Sequence, residues 1–118
     1  GFPSLPALPG PAGDVPGVDF RVLSADLDFN KHVNNVVFIR WALEAVPPEI
    51  LLGSIPVEFE ISYKAEAFFG DTIVSRALSL PAEEGRENGL TFLHGITNRS
   101  NGVELARLRT RWEKWRKE

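Results

Sequence analysis

Apolar and polar positions along the chain change period from one segment to the next. Residues 18–23, VDFRVL, alternate, which predicts a short strand with Phe20 and Val22 on one face. From Asn35 to Val46 the alternation gives way to a nearly continuous apolar run free of glycine and proline. Asn34 is a suitable cap before it and Pro47-Pro48 stops it, so a helix of about 18 Å is predicted. Val36, Val37, Phe38, Ile39, Trp41, Ala42, Leu43, Ala45 and Val46 cover almost its whole circumference, as expected of a helix buried on most sides. Arg40 and Glu44, spaced i, i+4, can share the one wet stripe. After the helix everything reads as strand. IPVEFEISYKAEAF (55–68) alternates with Val57, Phe59, Ile61 and Tyr63 on one side, and strands follow at 71–80, 90–99 and 103–115. Gly70-Asp71, EEGRENG and SNG supply turns between them.

These connections are too short for helical crossovers, so sequence neighbours are expected to pair antiparallel. An antiparallel sheet of about five strands curled around one mostly buried helix is an α+β arrangement, the hotdog fold. Residues 1–17 stand apart, because they hold five prolines and four glycines and read as a linker or extended arm. A single domain over 18–118 is the expectation for the rest. The chain opens on glycine and contains no methionine, which suggests one domain cut from a longer protein.

Composition narrows the chemistry. The net charge of −3 gives no reason to expect nucleic-acid binding. Without cysteine there is no disulfide, thiolate metal site or cysteine nucleophile. The only two histidines are His32 and His94, so a His-rich zinc site is not expected, and nothing in the sequence calls for a cofactor. No run is long and apolar enough for a membrane span.

One segment concentrates titratable and hydrogen-bonding groups: DLDFNKHVNN, residues 26–35, directly before the apolar helix. In an extended chain Asp28, Asn30 and His32, spaced by two, would point the same way. A carboxylate, an amide and an imidazole converging there suit acid–base chemistry on a carbonyl. The first N–H groups of the helix would offer partial positive charge to a developing oxyanion, and the helix itself a dry wall. Such a slot fits an acyl ester or thioester. The same residue types also favour loops and caps, so spacing alone leaves both readings open.

The residues resemble a known family. DLDFNKHVNNVVFIRWALEAVP is similar to the most characteristic segment of acyl-acyl carrier protein thioesterases, D-x-D-x-N-x-H-V-N-N followed by an aromatic, W, E and P. FEISYKAEAFFGDTIVSR resembles that family's strand with tyrosine, glutamate and a following aspartate. The resemblance is to the second of two tandem hotdog domains and spans roughly residues 18–115. It implies a thioesterase that releases free fatty acid from acyl carrier protein, in the bacterial cytoplasm or a plant plastid. Asp28, Asn30, His32 and Glu66 would be catalytic, with Asp28 as nucleophile or base, Asn30 and His32 orienting, and Glu66 activating water or tuning the others. Asn34, Asn35 and Trp41 are candidates for substrate binding. Many members carry cysteine after this glutamate, but Ala67 stands here, so a carboxylate mechanism must suffice. Alternatives are an acyl-CoA thioesterase, or a non-catalytic hotdog unit that binds acyl chains or supports a partner domain.

Asp26, two residues before Asp28, reads as a turn residue, and His94 as an ordinary strand residue. Arg107, Arg109 and Arg111 fall on one face of the last predicted strand. They are either a solvated face or a landing patch for an acidic carrier protein. A single sheet around one helix leaves an open edge, so pairing with a second copy or with a first hotdog domain is expected.

Overall fold

The computed structural model describes residues 5–8, 15–81 and 89–115. Five strands, β1 (Gly17–Arg21), β2 (Ser54–Tyr63), β3 (Thr72–Leu80), β4 (Gly89–Asn98) and β5 (Glu104–Lys114), form one antiparallel sheet in the order β1-β3-β4-β5-β2. The expected hotdog arrangement is present, with one correction to the pairing. Strands β1, β2 and β3 are not neighbours in sequence order. β3 pairs with β1, and β2 lies on the far edge against β5. Residues 64–71 carry the chain from that edge back to the other side, so a short connection does not make a hairpin here. The EEGRENG turn falls almost wholly outside the described residues.

Helix α1 (Asn35–Glu44) starts where its cap predicts: Asn34 is extended (φ −63°, ψ 136°), and its Oδ1 accepts the N–H of Val36 at 3.0 Å. It ends two residues before the prolines. A second helix, α2 (Pro48–Gly53), follows where strand alone was expected. Pro48 occupies its first turn, where a missing N–H costs nothing, so the proline pair stops one helix and starts the next.

The core forms between α1 and one face of the sheet. Val37, Phe38, Trp41 and Ala42 are buried against Val22, Ile73, Ile96, Ala106 and Leu108. Trp41 is fully buried, stacked near Phe20 (ring centroids 6.3 Å apart) and edge-on to Phe38 (5.3 Å). The helix is less enclosed than its composition suggests, because Val36, Arg40 and Glu44 share an exposed side. Nor does Arg40 pair with Glu44: its Nη2 reaches the buried carboxylate of Asp26 at 3.0 Å. A carboxylate out of water holds a guanidinium more strongly than an exposed one does.

Described parts of the proline-rich arm lie on the opposite face of the sheet. Leu5 is buried, and its carbonyl accepts Arg107 Nη1 at 2.9 Å. The Val15 carbonyl accepts Arg76 Nε at 3.1 Å. Leu8 packs over Gly95, where a Cβ would stand 3.2 Å from Leu8 Cδ1. That contact accounts for a glycine in the middle of β4, a position that otherwise weakens a strand.

Candidate active site

The polar cluster is not extended. Leu27 and Val33 pair as an antiparallel bridge, and residues between them turn back on themselves. Asp28 causes the turn. Its Oδ1 accepts the main-chain N–H of Asn30 at 2.9 Å and of His32 at 3.0 Å, while its own N–H donates to the His32 carbonyl at 2.8 Å. Lys31 closes the loop in the left-handed region at φ 66°. Alternation by two therefore does not apply, and Asp28, Asn30 and His32 are not aligned by strand geometry. A short carboxylate next to free main-chain N–H groups captures them locally before a strand can form.

The turn aims His32 at another part of the chain. His32 Nδ1 lies 2.8 Å from Glu66 Oε1. Glu66 is delivered by the segment leaving β2, which is tied to β5 by the N–H groups of Lys64 (2.8 Å) and Ala65 (3.3 Å), both donating to the Leu105 carbonyl. The pair sits on a cavity of about 330 Å³ lined by His32, Val33, Asn35, Phe38, Tyr63, Lys64, Ala65, Glu66 and Ala67. Its walls are apolar on the side of Phe38, Val33, Ala65 and Ala67. Asn35, the first residue of α1, brings the positive end of the helix to its edge.

The candidate residues thus separate. His32, Glu66 and Asn35 meet at the cavity. Asp28 and Asn30 belong to the exposed turn behind His32, Asn34 spends its side chain on the cap, and Trp41 lies in the core under Phe38. Ala67, where a cysteine was considered, is buried on the cavity wall. Two polar lining residues were missed. Tyr63 meets Phe38 edge-on at 5.4 Å, and burial pushes its hydroxyl above the usual range. Lys64 follows it, and both were legible only as part of a longer strand that in fact ends at Tyr63.

The three arginines lie on the other face of the sheet. Arg107, Arg109 and Arg111 alternate with Ala106, Leu108 and Thr110, so they face away from α1. Arg107 pairs with Glu104 at 2.7 Å, Arg109 with Glu60, and Arg111 with Glu113 (2.9 Å) and Glu58 (3.2 Å). Four glutamates on the same face neutralise them, and one arginine also holds the arm. His94 also lies away from the cavity, fully buried on the helix-facing side of the sheet. Its Nε2 is 2.7 Å from Thr110 Oγ1, which also accepts the Trp112 indole N–H at 2.8 Å. Burial lowers its pKa to about 4, opposed in part by the Ala42 carbonyl, although Nδ1 closes no well-aligned hydrogen bond. No group of three or more metal-ligating side chains occurs among the described residues.

One long helix, α1, wrapped by a five-stranded antiparallel sheet, with a His–Glu pair on a half-apolar cavity at the helix start, defines a hotdog domain like those of known thioesterases. The 12:0-ACP thioesterase from Umbellularia californica superposes with a TM-score of 0.79 at 26% identity, over 97% of this chain and 40% of that one. A putative oleoyl thioesterase from Lactobacillus plantarum gives 0.77 at 24% identity, over 98% of this chain and 46% of that one. The chain belongs to the acyl-acyl carrier protein thioesterase family: residues 15–114 match the model of its C-terminal domain. It is 33% identical over 108 residues to a chloroplastic oleoyl-acyl carrier protein thioesterase of Coriandrum sativum, covering 76% of this chain and 29% of that protein. It is 36% identical over 87 residues to a chloroplastic palmitoyl-acyl carrier protein thioesterase of Cuphea hookeriana, covering 74% and 20%. The chain therefore spans less than a third of these curated relatives.

Proposed function

We propose that this domain hydrolyses a fatty acyl thioester carried by acyl carrier protein, releasing the free fatty acid and the carrier thiol. The observation that carries the reading is the 2.8 Å contact of His32 Nδ1 with Glu66 Oε1 at the edge of the cavity. A carboxylate facing Nδ1 favours the neutral tautomer with its proton there, leaving Nε2 free to accept one. In this reading Nε2 takes a proton from water as the oxygen attacks the thioester carbonyl. The tetrahedral oxyanion forms near the start of α1 and the Asn35 side, where positive charge is fixed in advance. Collapse breaks the C–S bond, and the imidazolium returns its proton to the departing sulfur. Glu66 stabilises that imidazolium, and Asp28 holds the His32 main chain in register. Asp28 and Asn30 belong to the same turn as His32, and the family resemblance gives them catalytic roles as well.

The apolar wall suits an acyl chain, but about 330 Å³ lies near the lower end of ligand pockets, which run from about 300 to 1,000 Å³. A second unit completing the pocket fits that size. The free edge of β2 supports such pairing, since Ile55, Phe59 and Tyr63 are large, apolar and exposed along it. The partner is a second copy or a further hotdog domain. With this chemistry the protein works beside fatty-acid synthesis, in the plastid of a plant or the cytoplasm of a bacterium. No described helix is long and apolar enough to cross a membrane. The test is thiol release by the intact protein from one acyl chain presented on carrier protein and on coenzyme A. The reading predicts turnover with a preference for the carrier-bound thioester. Preference for coenzyme A would overturn the carrier assignment, and no hydrolysis of either would overturn the activity.

A further inference from the structure

The two members of the His32–Glu66 pair are held by different elements, so something must set their relative position. Glu66 is referenced to β5 through the Leu105 carbonyl. His32 sits in a turn whose base is closed by the Asp26 carbonyl, which accepts the Asn34 N–H at 2.9 Å. The same residue does more. Asp26 is only 3% exposed, its Oδ2 accepts the Leu23 N–H at 2.8 Å, and its Oδ1 accepts Arg40 Nη2 at 3.0 Å. Through its buried carboxylate and its main-chain carbonyl, one residue therefore joins the exit of β1, the base of the catalytic turn and the second turn of α1. Beyond the cap and the main-chain bonds at Asn34, the tie to Arg40 fixes the turn to the body of the helix.

We infer that Asp26 and Arg40 form a positioning pair for the reaction, fixing His32 against Glu66 without touching the reacting atoms. The inference rests on the functional reading above and adds to it a specific means of alignment. Arg40 lies on the exposed side of α1, yet its guanidinium reaches the buried Asp26 carboxylate. A guanidinium reaches a fixed carboxylate with directional donors, which a lysine imitates only as a point charge. Since misplacement by about 1 Å can cost up to 10²-fold in rate, a loosened turn should be visible in turnover.

The test uses the intact protein with acyl carrier protein substrate. Arg40→Gln should lower kcat roughly tenfold and leave KM within about twofold, because the loss falls on alignment and not on binding. Arg40→Lys should recover part of it. In a Glu66→Gln background, where the pair is already broken, Arg40→Gln should have no further effect on kcat, the mark of residues acting through one another. Asp26→Asn combined with Arg40→Gln avoids leaving a buried unpaired carboxylate, and serves if the single variant fails to fold. It should show the same loss of kcat and the same dependence on Glu66. An unchanged kcat in a folded variant, or an equal loss in both backgrounds, would overturn the inference while leaving the functional reading intact. If Glu66→Gln itself leaves turnover unchanged, the functional reading falls and the inference with it.

Discussion

Lowering pH should unfold this protein in a way that one residue explains. His94 is fully buried, shares Thr110 Oγ1 with Trp112, and has its pKa reduced from 6.5 to about 4 by loss of water. The folded protein thus keeps His94 neutral at pH values where the unfolded chain has already taken up a proton. Above about 6.5 neither state binds the proton and the residue has no pH effect. Between about 6.5 and about 4 only the unfolded state binds it, so stability falls as pH falls. Below about 4 both states are protonated and the loss levels off. The difference between 6.5 and about 4 corresponds to about 3 kcal/mol, a large part of the 5–15 kcal/mol by which domains are stable. Urea unfolding at closely spaced pH values measures it. Carboxylates add their own slope, so the informative quantity is the difference from His94→Gln, which removes the titration and retains a hydrogen-bonding side chain. The wild type should lose about 3 kcal/mol more than the variant between pH 7 and pH 4. Parallel stability curves would refute the reasoning and mean that water reaches His94.

Two other outcomes follow from the surfaces of the sheet. Filling a strand glycine usually stabilises, yet Gly95→Leu should destabilise by about 2 kcal/mol, because it evicts Leu8 from its seat on the sheet. Limited proteolysis checks this, since the arm of the variant should be cut faster. Light scattering on the isolated chain should show a mass near twice 13.1 kDa at high concentration, with β2 as the paired edge. A mass of 13.1 kDa at every concentration would show that β2 stays unpaired.

What could be read from sequence depended on whether the signal was local. Asn34 and the apolar run after it locate α1 within two residues, because a cap and a periodic face are properties of adjacent residues. Strand limits came out within a residue or two except for β2, where Lys64 and Ala65 turn away to bond Leu105 and the alternation to residue 68 is coincidental. Asp28 was named for its chemistry, but its carboxylate first satisfies two main-chain N–H groups, which no side-chain pattern reveals. The most consequential contacts join distant segments: His32 with Glu66, Asp26 with Arg40, Arg107 with Leu5. For Glu66 the family resemblance supplied what spacing could not. For Asp26 and the arm there was no such help: Asp26 read as a turn residue, and residues 1–17 as a linker or extended arm.

The central claim is that His32, held by Glu66, moves the proton in thioester hydrolysis. The most direct measurement is kcat for His32→Gln against wild type in the intact protein on acyl carrier protein substrate, with melting temperatures recorded for both. Losing a general acid–base group costs roughly 10²–10⁴-fold, and an exposed residue on a turn leaves the fold intact, so a drop of that size with an unchanged melting temperature is predicted. Turnover within a few-fold of wild type would contradict the account.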